Sequence, residues 1–261
     1  MAELRETFDE VALLYDRARP AYPRELVDDL LLLAGLGPAA PVLEIGCGTG
    51  QLTVALAERG YRILCVELGP NLAAVARRNL APFPLSQVDT ASFEEWDPEG
   101  RTFDLVVSAT AWHWLDPAIR LHKAAALLHP GGALAVIQTH HVRPRGADPF
   151  FAEIQEVYVR LGLSDDRVGP LPPETVPDEW PEVAESRLFE APAFRRYLWS
   201  CPYTADEYIA VLETYSANRV MPPATRERLY AEIRRRIAAR PGGTVTKHYL
   251  FTLAVGRKAA A

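Results

Sequence analysis

The sequence predicts an α/β domain in which helices cover both faces of a parallel sheet. Short apolar runs alternate with stretches of helical periodicity through the first half of the chain, without an internal repeat. The segments between the first four runs are long enough for one crossover helix each. A glycine-rich turn follows the first apolar run, at the sheet edge where open α/β sheets bind their ligands.

The apolar runs define the predicted strands. We expect strands at residues 41–45, 62–67, 85–88, 103–109 and 133–139. Strand character returns at residues 194–200 and 246–255, with helices between them. The first of those helices is predicted to begin at the capping-box pattern Thr204-Ala-Asp-Glu207. The proline-rich stretch 169–181 is incompatible with regular helix or a central strand, so we predict an ordered lid or linker.

The beginning of the chain has the pattern of an amphipathic helix. Four side chains share one helical face: Phe8, Val11, Ala12 and Tyr15. The sequence Arg19-Pro20-Ala-Tyr22-Pro23 then ends the helix. This helix is expected either to cover the ligand site as a lid or simply to pack on the core.

Composition narrows the functional classes. With 261 residues, 49% of them hydrophobic, and a net charge of −6, the chain can bury a large core and is ill-suited to nucleic acid. The basic run 234–236 is flanked by Ile233 and Ile237 at helical spacing, which indicates a solvated helix face. Neither a signal peptide nor a membrane span is expected. Three cysteines without metal or redox spacing predict reduced thiols, so we expect a soluble cytoplasmic protein with no metal.

The glycine turn carries the most specific signal. It has the pattern Glu44-x-Gly46-x-Gly48-x-Gly50, and glycines allow a sharp turn and a close approach of a ligand. A dinucleotide-binding fingerprint would need glycine where this chain has Gln51, which argues against a nicotinamide oxidoreductase. One helix later, Glu67 ends the second strand, where a carboxylate can accept both ribose hydroxyl protons.

These residues resemble the acid-x-G-x-G-x-G motif of class I S-adenosylmethionine-dependent methyltransferases. The stretch from Phe103 to Pro117, which includes Trp112-His113-Trp114, is similar to the fourth strand and loop of the trans-aconitate-type small-molecule enzymes. An Asn-Pro-Pro-Tyr or Asp-Pro-Pro-Tyr motif is missing, so DNA amino-methylating enzymes match poorly. The resemblance implies a seven-stranded Rossmann-like sheet of order 3-2-1-4-5-7-6 with its last strand antiparallel, helical cap insertions, and S-adenosylmethionine as cofactor.

The resemblance also implies a set of cofactor contacts and a domain plan. The expected contacts are Tyr15, Arg19, Glu44, Gly46, Gly48, Gly50, Glu67, Leu68, Ser92, Phe93, Ala109 and Trp112. For the adenine contact, Ser92 stands where the family often has an acid, and Asp89 is an alternative. We expect one domain over residues 1–261, with an N-terminal lid (1–35), a cofactor-binding core (36–140), a cap insertion (140–192) and C-terminal strands and helices (193–257) that complete the sheet.

The acceptor is predicted to be a small molecule with an oxygen nucleophile, and the protein a monomer or homodimer without nucleic-acid or membrane partners. His113 follows the fourth strand and is the candidate general base; packing between the two tryptophans is the alternative. His140 and His141, with Arg143 and Arg145, are candidates to bind an anionic acceptor, or are exposed loop charges. We expect the acceptor to bind between the Trp112–Trp114 loop and a cap formed by residues 140–192 and the Tyr208–Tyr215 helix. Four aromatic residues of the cap are expected to close this pocket: Phe150, Phe151, Tyr158 and Trp180. A cyclase or a regulatory binding module without methyl transfer remains an alternative function.

Overall fold

A computed structural model describes residues 8–165 and 169–259 of the chain, and these form a seven-stranded sheet with helices on both faces. The strands are β1 (Pro41–Ile45), β2 (Arg62–Glu67), β3 (Ser86–Thr90), β4 (Phe103–Ala109), β5 (Leu128–Val142), β6 (Ala193–Thr204) and β7 (Thr244–Arg257). Their order is β3-β2-β1-β4-β5-β7-β6. Strands β1 to β5 are parallel and β7 is antiparallel to both of its neighbours, which confirms the predicted fold.

The described residues also form α-helices between and after the strands. They are α1 (Ala12–Ala18), α2 (Arg24–Ala34), α3 (Gln51–Ala57), α4 (Pro70–Leu80), α5 (Arg120–Leu127), α6 (Phe150–Glu153), α7 (Gln155–Arg160), α8 (Pro181–Ser186), α9 (Ala205–Glu213), α10 (Ser216–Arg219) and α11 (Pro223–Ala238). The predicted capping box is present at the start of α9, where Glu207 N donates to Thr204 Oγ1 and Thr204 N donates to Glu207 Oε2 at 2.8 Å.

Strands β1, β2 and β4 have the predicted bounds, whereas β3 is shifted to Ser86–Thr90 and β5, β6 and β7 are longer than predicted. The extension of β5 beyond residue 139 comes from its pairing with β7, which continues from Ala133↔Arg257 to Val142↔His248, and at the other end of the strand Leu128 pairs with Phe103 of β4. The apolar pattern ends at residue 139 because His140 and His141 are polar. Backbone pairing continues through them, and it thereby brings His141 to the sheet edge that carries the glycine turn.

Alternating strand residues fill the two apolar layers. Val42 and Leu105 belong to the layer that also contains buried residues of α2 and α3, and Leu43 and Val106 belong to the opposite layer. Both faces of the central strands are therefore buried, as a parallel sheet requires. The ends of β1, β2, β4 and β5 meet at one edge, where functional side chains can gather.

The predicted cap, residues 140–192, packs differently from the expected pocket lid. Phe150 and Phe151 are buried and contact the ring of Tyr208 edge-on, at centroid distances of 6.0 and 5.5 Å. Trp180 contacts Trp112 edge-on at 6.2 Å. These aromatic side chains, together with Tyr158, line neither of the two cavities described below, because they fill apolar layers beside the sheet.

The proline-rich stretch is held against the edge strand. Arg196 of β6 donates from Nη1 to the carbonyl of Val176 at 2.6 Å and to Asp178 Oδ1 at 2.9 Å. The segment is therefore an ordered connection along β6. Within the described ranges, no helix combines the length and the apolar character needed to cross a bilayer.

Candidate active site

A cavity of about 440 Å³ opens at the sheet edge where β1, β2, β4 and β5 end. Most of the residues predicted from the motifs line it. These are Tyr15, Arg19, Gly46, Gly48, Glu67, Leu68, Ser92, Phe93, Ala109 and His113. One cavity thus joins side chains that the sequence motifs suggested separately.

The glycine turn lines the floor of this cavity and needs glycine for two reasons. Gly46 and Gly48 have φ values of +70° and +59°, a conformation that L side chains rarely adopt. A Cβ on Gly46 would clash with Ala111 Cβ at 2.5 Å, whereas a Cβ on Gly48 would be in ordinary contact with Tyr15 Cε1 at 3.5 Å, where a larger side chain would take up the space beside the ring. The missing side chains therefore keep space open between the turn, the end of β4 and the N-terminal helix.

Glu67 ties the end of β2 to the glycine turn. Its Oε2 accepts from Gly48 N at 2.8 Å and its Oε1 from Gly69 N at 2.9 Å. Burial raises the pKa of this carboxyl group, and the two backbone hydrogen bonds oppose that rise. Each carboxylate oxygen can accept more than one hydrogen bond, so the predicted contact with ribose hydroxyls is compatible with the existing pair.

Three residues of the predicted contact set lie outside the cavity wall: Glu44, Gly50 and Trp112. Glu44 is 1% exposed, accepts from Thr53 Oγ1 at 2.7 Å, and has a pKa raised to about 8 by burial. Gly50, with φ +93°, precedes α3, and its carbonyl accepts from Val54 N. The indole of Trp112 is buried and donates to Glu182 Oε2 at 3.2 Å. Motif spacing identifies such residues but does not show which side of the backbone each one faces.

The two candidates for the adenine contact have different environments. Ser92 lines the cavity and donates to Glu94 Oε2 at 2.9 Å. Asp89 lies outside it and accepts from Trp96 Nε1 at 2.9 Å. The position of Ser92 therefore favours it over Asp89, with Phe93 as an adjoining apolar wall.

The N-terminal segment lies across the cavity, where Phe8, Tyr15 and Arg19 line it; residues 1–7 fall outside the described ranges. Asp9 anchors this segment, because its Oδ1 accepts from the backbone N–H groups of Asn71 and Leu72 at 2.7 and 2.8 Å, at the start of α4. This contact is a helix cap supplied from a distant part of the chain.

Arg19 joins the N-terminal segment to the C-terminal helices. Its Nε donates to Thr214 Oγ1 at 2.8 Å and its Nη2 to the Thr214 carbonyl at 3.1 Å. The guanidinium carbon lies 4.9 Å from the ring centre of Tyr15 and 4.5 Å from that of Tyr215. The cation is thereby oriented at the cavity wall by two rings and a backbone carbonyl.

Two histidines face the other end of the cavity. His113 lies against Trp114, with ring centres 4.8 Å apart, and desolvation together with the charge of Arg120 lowers its pKa. His141 also lines the cavity, and its Nε2 lies 3.2 Å from Tyr215 Oη. Its pKa is well below the usual range because of burial and the nearby cations Lys247 and Arg19. Both imidazoles are therefore neutral at pH 7.

The other members of the predicted anion-binding set lie elsewhere. His140 Nε2 lies 3.2 Å from Thr252 Oγ1 on the neighbouring strand, since successive strand residues point to opposite faces. Arg143 and Arg145 follow β5 and do not line the cavity. Of this set, only His141 is at the cavity wall.

Sequence reasoning missed Lys247. It is 4% exposed on β7, and its Nζ lies 4.8, 5.3 and 5.6 Å from the ring centres of Phe151, Tyr208 and Tyr249. Burial, with a smaller effect of Arg19, lowers its pKa to about 7. A lysine in a terminal strand suggests a solvated position, so nothing in the sequence indicated that Lys247 would be buried near the cavity.

Thr139 and the segment 215–217 also line the cavity without having been predicted as site residues.

No group of three or more histidine, cysteine or acidic side chains is arranged for a metal ion within the described part of the chain.

Known proteins resemble the chain in the region that builds this site. Residues 42–132 match the family described as a methyltransferase domain. An uncharacterised methyltransferase of Mycobacterium tuberculosis is 39% identical over 131 residues, which cover 50% of this chain and 51% of that protein. The trans-aconitate 2-methyltransferase of Methylobacterium nodulans is 36% identical over 124 residues, 46% of this chain and 44% of that protein.

Among solved structures, the YcgJ protein from Bacillus subtilis has the same fold. It is 17% identical, with a TM-score of 0.56 over 92% of this chain and 100% of that one. The chain spans about half the length of the curated relatives it matches, so those matches describe the domain rather than the whole protein. The matched family uses S-adenosylmethionine, the cofactor predicted from the sequence. Residues 42–132 therefore form a methyltransferase domain, which confirms the predicted resemblance to class I S-adenosylmethionine-dependent methyltransferases over this part of the chain.

Proposed function

We propose that the whole chain transfers a methyl group from S-adenosylmethionine to a small-molecule acceptor that carries an oxygen nucleophile. The main support is that the glycine turn and two neutral imidazoles, His113 and His141, face one cavity. A methyl donor held at the turn and an acceptor held near the imidazoles would share a single enclosed space. Methyl transfer is an in-line displacement that depends chiefly on such positioning.

The walls near the glycine turn fit the cofactor. Gly46 and Gly48 leave the space that side chains would fill, and Glu67 offers carboxylate oxygens beside it. We assign the adenine end to Ser92 and Phe93. When bound, S-adenosylmethionine supplies an electrophilic methyl group on a sulfonium. The protein's part is to hold the nucleophile in line with that group and to keep water out.

The opposite walls fit an acceptor oxygen. A hydroxyl acceptor must lose a proton, and neutral His113 can take it at its free ring nitrogen; a carboxylate acceptor needs no base. His141 lines the other side of the cavity, and Lys247, whose pKa of about 7 leaves it partly protonated at neutral pH, lies behind it. This positive charge favours an acceptor that carries a negative charge.

Enclosure supports a compact acceptor. The N-terminal segment crosses the cavity at Phe8 and Tyr15, and residues 215–217 line it from the C-terminal side. A macromolecular substrate would need an open groove. The trans-aconitate 2-methyltransferase of Methylobacterium nodulans, whose name describes a small acidic acceptor, supports the same assignment. The net charge of −6 and the free thiols at Cys47, Cys65 and Cys201 support a cytoplasmic setting without nucleic-acid partners.

Product analysis tests the proposal. The purified chain is incubated with S-adenosylmethionine and panels of small hydroxyl and carboxylic acids, and S-adenosylhomocysteine is quantified by mass spectrometry. We expect acceptor-dependent product from at least one panel. Tight cofactor binding without product from any acceptor would instead indicate a cyclase or a regulatory module. Methylation of a protein or an RNA at a higher rate than any of these small acids would contradict a small-molecule acceptor.

A further inference from the structure

Three hydroxyl groups form a chain of hydrogen bonds beside the cavity of about 440 Å³, the main cavity. Tyr22 Oη lies 3.2 Å from Thr110 Oγ1, which in turn lies 2.9 Å from Thr139 Oγ1. Both threonines line the main cavity, whereas Tyr22 does not. All three residues line a second cavity of about 30 Å³, which we call the side cavity. The hydroxyl chain therefore runs from the side cavity to the wall of the main cavity.

The backbone of Thr110, in the middle of this chain, has an unusual conformation. Its φ of +59° lies in the left-handed region, where a β-branched residue is an outlier. Thr110 N donates to the Ile137 carbonyl of β5 at 2.7 Å, and the next residue, Ala111, packs against the glycine turn at Gly46. Such strain persists where the surrounding structure enforces it, and it is concentrated at functional sites. The strained residue thus places its hydroxyl between the glycine turn and Thr139.

The hydroxyl chain leaves one proton without a partner. Each hydroxyl carries one O–H donor, and the two contacts use two of the three donors. Within residues 8–165 and 169–259, these hydroxyls make no other hydrogen bond. A phenol is more acidic than an alcohol and is the better donor, so Tyr22 donates to Thr110. The remaining proton then belongs to one of the two threonines that line the main cavity.

Polarisation of the chain makes Thr139 the free donor. When Thr110 accepts from Tyr22, its own O–H becomes a stronger donor to Thr139, because hydrogen bonds in a chain reinforce one another. Thr139 precedes His141 by two residues on β5, so the two side chains lie on the same face of the sheet, and both line the main cavity. The free O–H of Thr139 is therefore at the end of the cavity that we assign to the acceptor.

We propose that Thr139 is a specificity-determining residue, whose O–H donates to an acceptor oxygen that is not methylated, and that Tyr22 acts through Thr110 as a positioning residue. The inference rests on the methyl transfer assigned under the proposed function and deepens it. A donor on the nucleophilic oxygen would withdraw the electron pair that attacks the methyl group, so the contact suits a neighbouring oxygen. The site should then prefer acceptors that carry a second oxygen beside the nucleophile over simple alcohols.

Acceptor kinetics and cofactor binding together separate this role from a structural one. The probes are a carboxylic acid, the corresponding 2-hydroxy acid and the corresponding primary alcohol, on the carbon skeleton that the wild type methylates fastest. S-adenosylhomocysteine, titrated by calorimetry, reports the cofactor end. Thr139→Val removes the hydroxyl with little change in shape, and Thr139→Ser keeps it. The matched control is Thr252→Val, because the hydroxyl of Thr252 on β7 is bonded to His140 and lines neither cavity.

We expect Thr139→Val to lower kcat/KM for the two acids about 10- to 100-fold, the scale for a hydrogen bond to a charged oxygen. The loss should come chiefly from KM, because the contact is present both before and during transfer. Thr139→Ser should stay within about threefold of the wild type, since it keeps the donor. The alcohol, the control variant and the affinity for S-adenosylhomocysteine should each change about twofold or less, because none of them involves this hydrogen bond.

A double-mutant cycle tests the part of Tyr22. Tyr22→Phe should lower kcat/KM for the acids about threefold to tenfold, the scale for one neutral hydrogen bond. Combined with Thr139→Val, it should add no further loss, because its effect passes through the Thr139 hydroxyl.

Other outcomes overturn the inference in distinguishable ways. Equal losses on the acids and the alcohol, or additive losses in the double variant, would make the hydroxyl chain scaffold. A parallel loss of S-adenosylhomocysteine affinity would assign the hydroxyls to the cofactor. A wild type that methylates the alcohol faster than the acids would overturn this inference alone, whereas a wild type that methylates no small molecule would overturn the proposed function with it.

Discussion

The two ends of the main cavity are built in different ways. The cofactor end comes from a short stretch of chain, the glycine turn after β1, and from Glu67 at the end of the next strand. The end that we assign to the acceptor combines the loop after β4, the polar end of β5 and the segment 215–217, with Lys247 behind them. Under the proposed function, a local motif binds the cofactor, whereas segments that lie far apart in the sequence can change separately and so determine the acceptor.

The largest expected effect is at the glycine turn. Gly48→Val should abolish cofactor binding, because the side chain would enter the space beside Tyr15 and the φ of +59° disfavours any side chain. Gly60→Val is the matched control: its φ is +84°, but a Cβ there meets nothing within 4 Å. We expect both variants to lose stability and only Gly48→Val to lose binding in calorimetric titration with S-adenosylhomocysteine. If the two retain equal affinity, the turn does not hold the cofactor.

At the acceptor end, the next largest effect is expected for His113→Ala. If His113 is the base, turnover of hydroxyl acceptors should fall about 10²- to 10⁴-fold, and turnover of carboxylates much less. Wild-type kcat/KM for hydroxyl acceptors should also decline as the pH falls through the lowered pKa of His113, below its ordinary value of 6.5. The exposed His122→Ala serves as control. Equal losses on both acceptor classes would show that His113 only shapes the pocket.

The difference between the two ends also explains what the sequence predicted. Strands β1, β2 and β4 are buried on both faces, so their apolar runs have clear ends, and the motif between β1 and α3 is local. His141 and Tyr215 are brought together by the pairing of β5 with β7 and the packing of α9 and α10. The periodicity of apolar residues along the sequence does not predict these long-range contacts. Phe150 and Trp180 were expected at the pocket because aromatic residues suit both a lid and a core.

A smaller effect is expected at Glu67. Glu67→Ala should weaken cofactor binding by about 1–3 kcal/mol, the scale of charge-assisted hydrogen bonds to a ligand. Glu67→Gln keeps one acceptor oxygen for the backbone N–H groups and should lose less. The exposed Glu95→Ala controls for the loss of one negative charge. A change of only a few tenths of a kcal/mol in Glu67→Ala, measured by calorimetry, would limit Glu67 to its hydrogen bonds with Gly48 and Gly69.

Lys247→Met is expected to have the smallest effect on cofactor binding. This variant also tests the charge that lies behind the acceptor end. The folded state lowers the pKa of Lys247 from 10.5 to about 7, so folding disfavours its protonated form. The unfolded chain then binds more protons between these two values, and the stability of the wild type should rise with pH across that window. The destabilising effect of the buried Lys247 ammonium is complete below about pH 7 and absent above about pH 10.5.

Removing the ammonium while keeping a side chain of similar length should therefore raise Tm at pH 6 and flatten its dependence on pH between 7 and 10, measured by thermal melts in matched buffers. Arg228→Met, which removes an exposed cation, should leave that dependence unchanged. Cofactor affinity should change little, because Lys247 lies behind the acceptor end and lines neither cavity. A variant that is less stable than the wild type at pH 6 would mean that the ammonium's contacts with Phe151, Tyr208 and Tyr249 outweigh the cost of burying it.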